Sequence, residues 1–137
     1  MRVFLDANIL FSAVKSDGAV RQFLGLLRAQ SHTLVADGYV ICEARRNVEA
    51  KFAASAVNFE RCIAGVETTA KTAPPLAPDL CPKLPEKDRP VLASAILLRC
   101  DVLLTGDKAH FGPLYGETVS GVTIHSPASL AQLLLAR

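Results

Sequence analysis

Short apolar runs of strand length, each followed by a stretch of helical periodicity, limit most strongly what this chain can fold into. Arg2 to Leu5 is such a run and reads as a short buried strand. Ala19 to Ala29 follows with Val20, Phe23, Leu24 and Leu27 at helical spacing, after a turn at Ser16-Asp17-Gly18. Thr33 to Ala36 is a second strand, and Asp37-Gly38 offers a cap for a helix from about Tyr39 to Phe52. Ala56 to Thr69 reads as one more helix with a ragged apolar face. Asp88 then precedes a helix from Arg89 to Arg99, and Val102 to Leu104 is a third strand. Val122 to Ile124 is a fourth, and Pro127 opens a last helix carrying Leu130, Leu133 and Leu134. This alternation predicts an α/β fold: a mostly parallel sheet with helices on both faces, a three-layer α/β/α sandwich.

The main interruption is Lys71 to Lys87, which holds five of the eight prolines and reads as an extended connector. Neither side of it has a complete core, so residues 1–137 are expected to form a single domain. Half the residues are hydrophobic, rich for a small soluble chain, which points to a tight core, an apolar partner surface, or both. The longest apolar stretch, Val91 to Leu98, is far short of the ~20 residues a bilayer needs, and no signal-peptide pattern is visible. No membrane role and a cytoplasmic location are expected. Cys42, Cys62, Cys81 and Cys100 are widely spread with no Cys-x-x-Cys pair, which argues against zinc and for incidental thiols. A net charge of +2 excludes a strongly acidic protein that would repel nucleic acid everywhere.

In an open α/β sheet, ligands bind beyond the carboxyl ends of the strands. Asp6 directly follows the first apolar strand, and Asp107 stands just after the third, in Val102-Leu103-Leu104-Thr105-Gly106-Asp107. If those strands are neighbours, two carboxylates share one rim and repel each other unless protonated or bridged by a cation. A hard divalent ion is the natural bridge, though either Asp can also simply close a turn. Asp88 has an equally structural reading as a helix N-cap, and Glu43 as a solvated helical acid.

Several segments together resemble the PIN-domain family. Arg2-Val3-Phe4-Leu5-Asp6-Ala7-Asn8-Ile9-Leu10 looks like its first motif, an apolar strand ending in Asp. Ile41-Cys42-Glu43-Ala44-Arg45-Arg46 is similar to the second, Glu86-Lys87-Asp88-Arg89-Pro90-Val91 to the third, and Leu103-Leu104-Thr105-Gly106-Asp107-Lys108 to the fourth. Ile124-His125-Ser126-Pro127 resembles the closing strand and helix. The order holds along nearly the whole chain, and the arrangement looks closest to VapC-like toxins of toxin–antitoxin systems.

The resemblance implies a Rossmann-like sheet with the first strand central and a metal-dependent endoribonuclease. It implies Mg²⁺ or Mn²⁺ held by Asp6, Glu43, Asp88 and Asp107, RNA as substrate, an antitoxin protein as partner, and a homodimer. Asn8 and Thr105 are expected to orient carboxylates, with Ser12 a weaker candidate. Arg45, Arg46, Arg89 and Lys108 are candidates for phosphate contacts, or generic surface charges. The chain departs from many relatives after the fourth Asp: Lys108-Ala109-His110-Phe111 stands where they place a further acid. A weaker second metal site or a single-metal mechanism follows, and His110 is either solvated or a substrate contact.

Two rival readings bear comparison. An Asp-based phosphatase or phosphoacceptor domain would use Asp6 as nucleophile, but Asn8 replaces the second Asp such phosphatases carry, and Ala7 the adjacent acid of receiver domains. A non-catalytic RNA-binding or scaffolding module would not need all four acids.

Overall fold

The computed structural model describes residues 1–14 and 18–136; of the turn expected at Ser16-Asp17-Gly18, only Gly18 lies among them. Six strands form one sheet: β1 (Arg2–Leu5), β2 (Thr33–Asp37), β3 (Glu67–Thr69), β4 (Val102–Leu104), β5 (Thr118–Val119) and β6 (Val122–His125). Their order is β3-β2-β1-β4-β6-β5. Every pairing is parallel except the β5–β6 hairpin. The helices are α1 (Ala7–Ser12), α2 (Ala19–Ala29), α3 (Gly38–Lys51), α4 (Ala56–Ala64), α5 (Arg89–Leu97) and α6 (Pro127–Leu135).

β1 and β4 are the middle strands, and each is an unbroken apolar run because a central parallel strand is covered on both faces. Val3, Phe4, Leu5, Leu103 and Leu104 have no measurable exposure. Chain progress reverses here: β1 leads outward to β2 and β3, whereas the return crossover carries α5 to β4 and the chain continues to β6. Right-handed crossovers in opposite directions put their helices on opposite faces. Accordingly α2 and α3 pack on β2, α1 packs on α3, and α5 lies against β4. The gap between β1 and β4 is therefore a topological switch point, where carboxyl-end loops splay apart.

Three elements differ from the sequence-based expectation. The helix expected over Ala56 to Thr69 ends at Ala64, and Glu67–Thr69 is instead an edge strand parallel to β2. Gly65 disfavours continuation, and a Cβ there would run into the Arg28 guanidinium. The β-branched Thr68 and Thr69 then pair with the open edge of β2. The helix α1 starts immediately after β1, with Asp6 as its N-cap. The hairpin β5–β6 turns on Ser120 and Gly121, both at positive φ (49° and 88°), as a tight two-residue turn requires. The proline segment carries no helix or strand between β3 and α5, as its composition requires.

Candidate metal centre

Parallel pairing places Leu5 opposite Leu104, and the ladder continues one step further, with the Asp6 amide donating to the Leu104 carbonyl at 3.0 Å. Asp6 and Thr105 thus leave the sheet side by side. The Thr105 hydroxyl donates to Asp6 Oδ2 at 2.8 Å, and the Ala7 amide donates to Asp6 Oδ1 at 2.7 Å. Asn8 ties the two loops together: its Nδ2 approaches Asp6 Oδ2 at 3.2 Å, and its Oδ1 accepts from the Gly106 amide at 2.7 Å. Thr105 Oγ1 also accepts from the Asp107 amide at 3.2 Å. A small hydrogen-bonded frame therefore aims Asp6 and Asp107 into one space.

The other two acids reach that space from the flanking helices. One cleft of about 320 Å³ is lined by Asp6, Glu43, Asp88 and Asp107, together with Asn8 and Lys87. Glu43 comes from the second turn of α3, itself capped by Asp37, which accepts from the Val40 amide at 3.1 Å. The second oxygen of Asp37 accepts from the Ser94 hydroxyl at 2.5 Å, pinning the start of α3 to α5. Asp88 stands at the N-cap position of α5 but makes no capping hydrogen bond. Its usual structural reason is absent, and its carboxylate turns toward the cleft instead.

Burial is the largest influence on both buried acids. Desolvation pushes the Asp6 carboxyl up to about 6, against the Thr105 and Ala7 hydrogen bonds, and Asp88 and Glu43 add to the rise. Asp88 is also raised by burial, opposed by His110 and Lys87. His110 Nδ1 lies 2.9 Å from both Asp88 Oδ2 and Asp107 Oδ2. Neither approach has hydrogen-bond geometry, so Asp88 Oδ2 and His110 Nδ1 are buried without a hydrogen-bond partner. Orphaned buried groups of this kind cost free energy that a cation between them removes.

The charge of the cleft points the same way. Its lining carries four carboxylates against the two lysines Lys51 and Lys87, an excess of negative charge that suits a divalent ion. The oxygen-rich donor set suits a hard cation such as Mg²⁺ or Mn²⁺. Among the described residues, Asp88, Asp107 and His110 bring one ligand atom each to within 4.8 Å of one another, whereas Asp6 and Glu43 line the same cleft outside that group.

The phosphate-contact candidates fare differently. Arg45 pairs with Glu60 at 2.9 Å and lies over the Phe59 ring, so its guanidinium is engaged on α4. Arg89 donates to the carbonyls of Ala77, Leu80 and Cys81 at 2.8 to 3.0 Å, bracing the proline segment rather than facing the cleft. Arg46 and Lys108 are exposed and do not line it either. Ser12 is likewise outside the lining, which Phe11 joins instead. The basic groups in the cleft, Lys51 and Lys87, were not expected. Glu43, Asn47 and Lys51 are spaced by four residues on one face of α3, a periodicity that could have exposed Asn47 and Lys51.

The backbone is similar to a chain in the crystal structure of VapBC2 from Rickettsia felis bound to a DNA fragment from their promoter. The TM-score is 0.64 at 16% identity, covering 92% of this chain and 98% of that one. A chain of VapBC-1 from nontypeable Haemophilus influenzae matches with TM-score 0.60 at 14% identity, covering 93% and 99%. The fold is PIN-like. No protein-family model and no curated protein matches the chain by sequence. Shared fold over nearly the full length of both chains, with so little identity, leaves function to be argued from the site.

Proposed function

We propose that this chain is a Mg²⁺- or Mn²⁺-dependent endoribonuclease and the toxin half of a toxin–antitoxin pair. The observation that carries the reading is the convergence of Asp6, Glu43, Asp88 and Asp107, from four separate segments, on one cleft at the switch point of a PIN-like sheet. Asp88 and Asp107, whose ligand atoms lie within 4.8 Å of each other, would anchor the ion, with Asp6 and Glu43 completing the acidic wall. When bound, such an ion supplies Lewis acidity, offsets the charge of the cleft and makes water a better nucleophile toward phosphorus.

The protein's own groups do the rest. Thr105, Asn8 and the Ala7 amide fix the rotamer of Asp6, so no reorganisation is needed when substrate arrives. Lys51 and Lys87 draw the phosphodiester backbone to an otherwise acidic cleft. The openness of a crevice at the sheet rim suits a single-stranded or looped RNA, whose backbone can bend into it.

The similarity to VapBC structures supports an antitoxin protein as partner, and a homodimer is part of the same proposal. Leu26, Val57, Leu97, Leu133 and Leu135 are large apolar side chains left exposed for such contacts. Among the described residues no helix is long and apolar enough to cross a membrane. A cytoplasmic location, where RNA and partner meet, belongs to the proposal.

The test is cleavage of a panel of labelled RNAs by purified protein in Mg²⁺, Mn²⁺ or EDTA, alongside the Asp6→Asn/Asp107→Asn double variant. Cutting that needs metal and vanishes in the variant is expected. Cutting that persists in EDTA, or in the folded variant, would overturn the proposal.

A further inference from the structure

We propose that His110 is itself a ligand of the metal centre, so that the ion is held by a mixed nitrogen–oxygen set and Mn²⁺ is preferred over Mg²⁺. The inference rests on the metal-centre reading above and deepens it by assigning a residue and an ion class.

His110 sits three residues beyond Asp107 in the loop after β4. Its backbone amide donates to Asp107 Oδ1 at 3.1 Å, which fixes the turn and leaves Asp107 Oδ2 facing the imidazole. Nδ1 stands 2.9 Å from Asp107 Oδ2 and 2.9 Å from Asp88 Oδ2. A single ring nitrogen carries at most one proton and cannot point it squarely at two carboxylates at once. Here it donates well to neither, and the residue that faces it, Asp88, is itself only 8% exposed.

The distances suit another arrangement. An octahedral divalent ion with bonds of about 2.1 Å keeps adjacent ligand atoms about 3.0 Å apart. The two measured separations match two edges of such an octahedron, and the third pair lies within the 4.8 Å that spans the three ligand atoms. A hydrogen bond has a similar length, so the angle decides: the atoms stand at ligand spacing without hydrogen-bond alignment.

An imidazole in the set changes which ion is favoured. Mg²⁺ demands oxygen ligands and keeps its waters, whereas imidazole nitrogen raises affinity along the transition-metal series. The neutral ring also leaves the negative charge of the cleft unchanged, so the ion is still needed to admit phosphate.

The test uses the full chain, stripped of metal and titrated with Mn²⁺ alone. Pulsed electron paramagnetic resonance of the bound Mn²⁺ is expected to show ¹⁴N coupling from one imidazole. That coupling disappears in His110→Ala and in the size-matched His110→Gln. Mn²⁺ affinity falls about tenfold or more in both, while Mg²⁺ affinity changes far less. Thermal melts of the metal-free variants confirm that they fold. Bound Mn²⁺ without nitrogen coupling, or coupling that survives loss of His110, overturns the assignment while leaving the acidic metal centre intact. Failure of the wild type to bind Mn²⁺ at all, with no change in Asp88→Asn, overturns both.

Discussion

Asp6 follows β1, caps α1 and faces the acidic cleft, and these roles pull its protonation in opposite directions. Its carboxyl is pushed up to about 6 from 3.8, chiefly by burial. A folded-state pKa above the unfolded value contributes stability that is full below the unfolded pKa and lost as pH rises through the folded one. Metal-free protein is therefore expected to lose stability between about pH 4 and pH 6 relative to Asp6→Asn, by at most about 3 kcal/mol. Urea titrations in EDTA at several pH values check this, and parallel pH profiles of the two proteins would contradict it. Saturating Mn²⁺ should remove the difference by binding the ionised form. Thr105 is the companion case. Its hydroxyl serves Asp6, Asn8 and the Asp107 amide, so Thr105→Val keeps the volume but removes the tie to the Asp6 carboxylate and the one to the Asp107 backbone. RNA cleavage is expected to fall by 10-fold or more, the lower end of what loss of a supporting hydrogen bond costs a metal site, with little change in melting temperature.

Two helices that look alike at their starts behave differently. Ser126 caps α6 through a reciprocal pair with Ser129, whereas Asp88 stands at the start of α5 without capping it. Ser126→Ala should cost about 1 kcal/mol, and Asp88→Asn should cost nothing or stabilise the metal-free protein while abolishing cleavage. Equal destabilisation by both, read from denaturant midpoints, would return Asp88 to a structural role. Arg89 acts on the element before α5. Its guanidinium spans three carbonyls of the proline segment, a reach that a lysine ammonium lacks. Arg89→Ala and Arg89→Lys should both raise amide exchange across residues 77–82 and lower stability by about 1–3 kcal/mol. The same elements show what the sequence made legible. β1 and β4 declare themselves because buried central strands are continuous apolar runs, and their terminal acids follow from that. β3 is a half-exposed edge of three residues with no apolar run, and α1 is too short for periodicity to register. The basic pair after Glu43 misled, since successive helix positions point about 100° apart: Arg45 turns to Glu60, while Lys51, eight residues from Glu43, shares its face.

The molecule as a whole concentrates its chemistry at one end of the sheet. Reversal of strand order between β1 and β4 opens the crevice, and segments from α3, the start of α5 and the loop after β4 close around it. With a net charge of only +2, long-range attraction for RNA is weak, so the proposed ribonuclease would depend on local contacts from Lys51 and Lys87. Lys51→Gln/Lys87→Gln is expected to weaken binding of single-stranded RNA to the metal-loaded protein. It should also flatten the plot of log affinity against log salt by about 1 to 1.4, at about 0.7 per contact. An unchanged salt slope would place the phosphate path elsewhere. The central claim is that the four carboxylates form a metal centre, and its most direct test is anomalous scattering from crystals grown with Mn²⁺. A peak in the acidic cleft beside Asp88 and Asp107, absent from crystals of Asp6→Asn/Asp107→Asn, is the predicted result. Crystals of fully folded protein with no peak in that cleft, or with the ion bound elsewhere, would contradict it.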